Sequence, residues 1–192
     1  MPEPLVARSP LRAHVAPPAS PAGEPGVVLR EIPDLTLASV AALKGREAEL
    51  TQAVSSAYGV DLPDGPKRVS SGAVSFVGVG PGKWLAASTV GTDFSGLPAA
   101  VADQSDGRAV FRLSGPKARE TLATLVQIDL HPRAFQRGDA AVTHAASIAV
   151  TLWQVGDEPT YEIVMFRTYA ATLWRWLVEA GRSRGIDARL GG

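Results

Sequence analysis

The chain of 192 residues contains no cysteine, which rules out disulfides, a thiolate nucleophile, iron–sulfur clusters and zinc–thiolate sites. Net charge is absent too. Nineteen Lys and Arg offset nineteen Asp and Glu, so composition offers no basic surface of the kind that binds nucleic acid. No apolar stretch approaches the ~18 uninterrupted residues that a membrane-spanning helix needs. The opening MPEPLVARSPLRAHVAPP has no apolar segment ahead of a small-residue cleavage site, so no secretory signal is expected. These absences predict a cytoplasmic protein with neither a membrane nor a nucleic-acid partner. Lysine is scarce, with four Lys against fifteen Arg. Arg suits interfaces because its fork holds carboxylates at two points, but a GC-rich genome yields the same bias.

What is present suits a soluble folded chain, with 45% hydrophobic and 20% charged residues. A chain this long should bury roughly 70% of the surface that its unfolded form exposes. Eight of the fifteen prolines fall within residues 1–33, which predicts an extended arm there. The arm is either a loose tail or a strap that orders against a partner through Leu5, Val6 and Leu11. From Val27 the pattern turns globular.

A strand-like stretch runs from Leu35 to Leu43, and GREAEL then opens a helix with Leu50, Ala53, Val54 and Ala57 on one face. Gly59 ends that helix. AVSFVGV and KWLAAS read as two strands joined by a turn at Gly80-Pro81-Gly82, and a short helix is expected near Phe94–Val101. Further on, RAVFRL alternates, with Ala109, Phe111 and Leu113 inward and Arg108, Val110 and Arg112 outward. Ser114 is placed to cap a second helix with Pro116 in its first turn. Strands follow near Ala140–His144, Ile148–Val155 and Thr160–Phe166. Thr168 then opens a final helix that buries Tyr169, Leu173, Trp176, Leu177 and Ala180. The order strand–helix–strand–strand–helix thus occurs twice, at about 35–102 and 107–185. It predicts an α+β fold of two ferredoxin-like split β-α-β units with antiparallel sheets. The divisions are an arm at 1–33, a β-α-β-β-α unit at 34–104 and a β-α-β-β-β-α unit at 105–192.

The glycine-rich VGVGPGKW invites a nucleotide reading that its spacing refuses. A P-loop needs Gly where Val77 stands and Ser or Thr where Trp84 stands. The dinucleotide fingerprint meets Lys83 at its third glycine, and a strand follows where a helix is required. A hairpin turn explains the glycines. His14, His131 and His144 lack metal-ligand spacing, and no G-x-S-x-G elbow occurs, so no catalytic, cofactor-binding or metal-binding residue is expected. Two places stand out. In Asp129-Leu130-His131-Pro132-Arg133-Ala134-Phe135, either Asp129 pairs with Arg133 or caps the turn at Pro132 while Phe135 fills the core edge, or the charges meet a partner or ligand. Trp174 falls off the expected buried face, as a core residue or as an interface anchor. Leu11, Asp129, His131, Arg133 and Trp174 are therefore the candidate contacts with other chains.

The run FRLSGPKARETLATLVQIDLHPRAF, followed by LWQVGDEPTYEIVMFRTYAATLWRWLVEAG, resembles the gamma subunits of heterotetrameric sarcosine oxidases. Upstream, Ser9-Pro10-Leu11, GREAEL, Leu62-Pro63 and GPGKWLA extend the resemblance over nearly the whole chain. It implies a fold like that of the folate-dependent aminomethyltransferases and a place in an assembly that oxidatively demethylates sarcosine to glycine. In such an assembly tetrahydrofolate accepts the one-carbon unit and oxygen becomes peroxide. The resemblance further implies that FAD, FMN, NAD, zinc and tetrahydrofolate belong to the alpha, beta and delta subunits, and that gamma is non-catalytic. The K-G-C-Y-x-G-Q-E signature of the iron–sulfur-repair branch cannot occur in a chain without cysteine. Subunits of dehydrogenases for other N-methylated amino acids share the gamma type, and a stand-alone folate-binding protein of this fold is the further alternative.

Overall fold

The structure, a computed structural model, describes residues 9–11 and 23–190. Expectations for 1–8, 12–22 and 191–192, including His14 and most of the arm, lie outside the described residues. In chain order the elements are β1 (Val27–Glu31), β2 (Thr36–Ala42), α1 (Glu47–Tyr58), β3 (Arg68–Ser71), β4 (Val74–Gly80), β5 (Lys83–Ser88), β6 (Ala99–Asp103) and β7 (Arg108–Ser114). They continue as α2 (Ala118–Leu122), β8 (Ala140–Ala145), β9 (Ile148–Gln154), β10 (Thr160–Phe166), α3 (Ala170–Gly181) and β11 (Ile186–Arg189).

The strands form a five-stranded sheet, β3-β4-β5-β2-β6, and a six-stranded sheet, β11-β1-β7-β10-β9-β8. Pairing is antiparallel except where β1 lies parallel to β11. Each sheet is made the same way. A strand enters (β2 or β7), a helix follows, and a three-strand meander returns to pair with the entering strand (β5 on β2, β10 on β7). The strand after each helix therefore runs antiparallel to the one before it, at the far edge of its sheet. The α+β architecture with antiparallel sheets holds, and the doubling lies in topology rather than in residues.

Period-two alternation then stacks the layers. On β7, Ala109, Phe111 and Leu113 join the core under α2 and α3, whereas Val110 joins Leu37, Val77, Leu85 and Val164 between the sheets. On β2, Leu37 faces the other sheet, while Ala38 and Val40 pack under α1 with Leu50 and Val54. The result is helix, sheet, sheet, helix. The face of RAVFRL read as outward is thus half right: Arg108 and Arg112 reach the edge of the inter-sheet layer, and Val110 between them is buried.

Three expectations are corrected. Residues 94–101 are not a helix: Pro98 has no amide to donate, and the small residues after it extend as β6 along the free edge of β2. With β6 in place of that helix, and with β3 as a further strand ahead of the two expected ones, the first unit is β-α-β-β-β-β. Residues 27–31, counted with the proline-rich arm, form β1 in the second sheet, where alternate Val27, Leu29 and Glu31 are buried. Ser114 ends β7 rather than capping α2, because Gly115 turns the chain at φ 108° and helical residues begin only at Ala118.

Candidate functional site

The glycine-rich segment is a hairpin for steric reasons. A Cβ on Gly78 would lie 1.9 Å from the Gly65 carbonyl oxygen, and the Gly78 amide donates to the Lys67 carbonyl at 2.9 Å. Gly82, at φ 63°, takes the left-handed position of the turn into β5. Gly78 thus serves a close backbone approach and Gly82 the turn, while Gly80 is sterically free.

The loop between α2 and β8 is more informative. Leu130 and Phe135 are buried, and the Phe135 ring lies 6.4 Å from that of Tyr161, so the loop is anchored at two points. Between the anchors the turn is held by its own polar groups. The His131 amide donates to Asp129 Oδ1 at 2.8 Å, and the Arg133 amide donates to His131 Nδ1 at 3.2 Å. The His131 carbonyl accepts from the amides of Ala134 (2.8 Å) and Phe135 (2.9 Å). Asp129 therefore caps the turn and forms no ion pair with Arg133. Among the described residues the Arg133 guanidinium has no acidic partner, and His131, Pro132, Arg133 and Ala134 are all exposed. The backbone is pinned and the charges face outward. A loop pinned in this way keeps little conformational freedom.

The other two candidate contacts are corrected. Leu11 is fully buried in the core that holds Leu29 and Leu173, and Ser9 Oγ lies 2.7 and 2.9 Å from the two carboxylate oxygens of buried Glu31. This piece of the arm straps onto its own chain. Trp174 is also fully buried, edge-on to Phe111 with ring centroids 5.4 Å apart. The apolar stripe of α3 runs through Ala170, Leu173, Trp174, Leu177 and Gly181, one step round from the face expected, and Tyr169 is half exposed. Trp174 thus belongs to the core. Thr168 does not cap α3; it lies in the 3-10 turn that precedes the helix.

Charge inside the sandwich is concentrated at Glu162. Its carboxylate, 7% exposed, accepts from Trp153 Nε1 at 2.7 Å and from Arg112 Nε at 3.2 Å. Burial pulls the nearby Arg68 guanidinium below its usual value, and Arg112 and Arg137 push the same way against Glu162. The shifted carboxylates elsewhere have local causes: hydrogen bonds from Ser95 lower Asp93, and those from Ser105 lower Asp103. Among the described residues no group of three or more His, Asp or Glu is placed to hold a metal ion, and no helix is long and apolar enough to cross a membrane. Two clefts open at the edge of the inter-sheet layer, of about 590 and 330 Å³, and Arg108 lines both. Sequence reasoning passed over Arg108. The signal available was an Arg sharing a strand face with an apolar Val110.

Residues 82–189 match the model of the GCVT N-terminal domain. The glycine cleavage system aminomethyltransferase T from Bartonella henselae shares the fold, with a TM-score of 0.60 at 16% identity over 88% of this chain and 48% of that one. The fold class is therefore that of the aminomethyltransferase N-terminal domain. Within that class the chain belongs to the family of sarcosine oxidase gamma subunits: it is 34% identical over 166 residues to sarcosine oxidase subunit gamma from an Arthrobacter species, covering 80% of this chain and 79% of that one. A chain of the heterotetrameric sarcosine oxidase from Corynebacterium sp. U-96 superposes with a TM-score of 0.76 at 29% identity, over 93% of this chain and 96% of that one.

Proposed function

We propose that this chain is a non-catalytic gamma subunit of a cytoplasmic heterotetrameric oxidase. The assembly takes two electrons and two protons from sarcosine, releases glycine and passes the one-carbon unit to tetrahydrofolate. Oxygen accepts the electrons and becomes peroxide. FAD, FMN, NAD, zinc and folate are held by the alpha, beta and delta partners. The non-catalytic reading is supported by a glycine-rich segment that forms a hairpin and by shifted carboxylates whose causes are local partners, such as Ser95 at Asp93 and Ser105 at Asp103.

One observation carries the subunit role to particular residues. The Asp129–Arg137 loop holds an outward Arg133 on a backbone fixed by Asp129 and His131, and among the described residues no acid meets it. Asp129 and His131 position the turn, and Arg133 is the anchor for a partner carboxylate or carbonyl. The test is co-expression with the other subunits, followed by pull-down and thermal melting. Arg133→Ala should weaken association by about tenfold or more and leave the melting temperature of the free chain unchanged. Normal assembly of Arg133→Ala would remove the loop from the interface. A flavin absorbance band that stays with the isolated chain through gel filtration would end the non-catalytic reading.

A further inference from the structure

Where the inter-sheet core ends, the inner faces of β8, β9 and β10 continue without a cover. Val142 is 59% exposed and Phe166 is 47% exposed, and with Val79 and Ala149 they wall the groove of about 330 Å³. Among the described residues Arg108 is its only charged lining residue. The guanidinium carbon lies 3.9 Å from the centroid of the Phe166 ring, and Nε reaches Gln104 Oε1 at 3.4 Å. Among the described residues no carboxylate pairs with it. Burial alone pulls this guanidinium below its usual value, so the cation gives up water without gaining a counter-ion. A desolvated Arg stacked on an aromatic ring is a ready site for a carboxylate, and the apolar walls ask for an apolar neighbour beside that carboxylate.

The groove, of about 330 Å³, has room for one or two side chains beside Arg108, and an extended segment presents alternate side chains to such a surface. We propose that this groove docks an extended segment of a partner subunit that carries an apolar side chain next to an Asp or Glu. The apolar group covers Phe166 and Val142, and the carboxylate meets Arg108. The proposal rests on the subunit reading above and adds a second contact, on β7, β8 and β10, apart from the Asp129–Arg137 loop.

The test uses the full chain co-expressed with its partner subunits. Failure of the unaltered chain to co-purify refutes the subunit reading, and this proposal with it. If it co-purifies, a photoreactive benzoylphenylalanine at position 142 is irradiated in the assembled complex and the attached peptide is sequenced. The expected product is a partner peptide with Asp or Glu within two residues of an apolar side chain. Arg108→Gln should weaken association by about tenfold or more, judged beside the melting temperature of the free chain. Should that variant fold poorly, Val142→Asp, at an exposed position, offers Arg108 an acid in place of the partner's and should give a similar loss. Normal assembly of Val142→Asp, a cross-link confined to this chain, or a partner peptide without an acid would overturn the proposal. So would the absence of a partner cross-link combined with stabilisation of the free chain by benzoate, which would assign the groove to a small aromatic carboxylate.

Discussion

The Glu162 network invites a perturbation whose size can be worked out beforehand. Glu162 has two kinds of partner: the buried Trp153 indole at 2.7 Å and Arg112, whose side chain is 47% exposed. The half-exposed ion pair is worth about 1 kcal/mol or less, because water screens it and the Arg side chain loses entropy on pairing. The indole bond is different. Trp153 is 1% exposed, so removing its acceptor leaves a buried N–H without water, which costs about 1–3 kcal/mol. Glu162→Gln keeps an oxygen for the indole and removes the charge, so it should cost about 1 kcal/mol, with some addition from Arg68 and Arg112 left facing each other. Glu162→Leu removes both and should cost about 2–4 kcal/mol. Urea unfolding of the free chain, with midpoints and slopes compared, measures both values. Equal losses for Gln and Leu would show that the indole bond contributes nothing. A neutral Leu variant would place this site among buried ions that an apolar residue can replace, and the reasoning would fail at its main step.

Other consequences are smaller in scope. Phe135→Ala should lower stability by about 3–5 kcal/mol, seen as an early thermal melt, because the ring is buried against Tyr161; an unchanged melt would mean that the loop collapses into the gap. Gly78→Ala should destabilise more than Gly80→Ala, since a Cβ at 78 meets the Gly65 carbonyl at 1.9 Å and one at 80 meets nothing within 4 Å; thermal melts of the two variants give the comparison. Asp187 is held below the usual carboxylate range chiefly by the Arg30 hydrogen bond at 2.8 Å, which ties β11 to β1. A depressed folded-state value stabilises above the unfolded value of ~3.9 and is lost as pH falls through the folded one. The stability gap between the native chain and Asp187→Asn should therefore be widest near neutrality and close below about pH 4, as urea midpoints across pH would record.

How legible the chain was depends on which force set each element. The α1 helix, the hairpin at Gly80–Gly82 and the three later strands follow from apolar period and turn chemistry, both local and both written in order along the chain. β6 escaped because Ala99–Asp103 has little apolar signal of its own; the free edge of β2 extends it, and that edge is a tertiary fact. β1 escaped because its alternation, Val27, Leu29, Glu31, ends on a carboxylate buried with Ser9, which sits eighteen residues before the strand begins. Trp174 was misplaced by a single step in the helical phase. α3 begins at Ala170 behind a 3-10 turn, and counting from Thr168 rotates the buried stripe onto Trp176. Arg108 and Arg133 show a deeper limit. Period and propensity report what a chain needs in order to satisfy itself, and among the described residues neither guanidinium meets an acid. A charge whose partner sits in another chain produces no complementary signal in its own sequence. It becomes visible only in the fold, as in the groove beside Phe166, whose described lining holds Arg108 and no carboxylate.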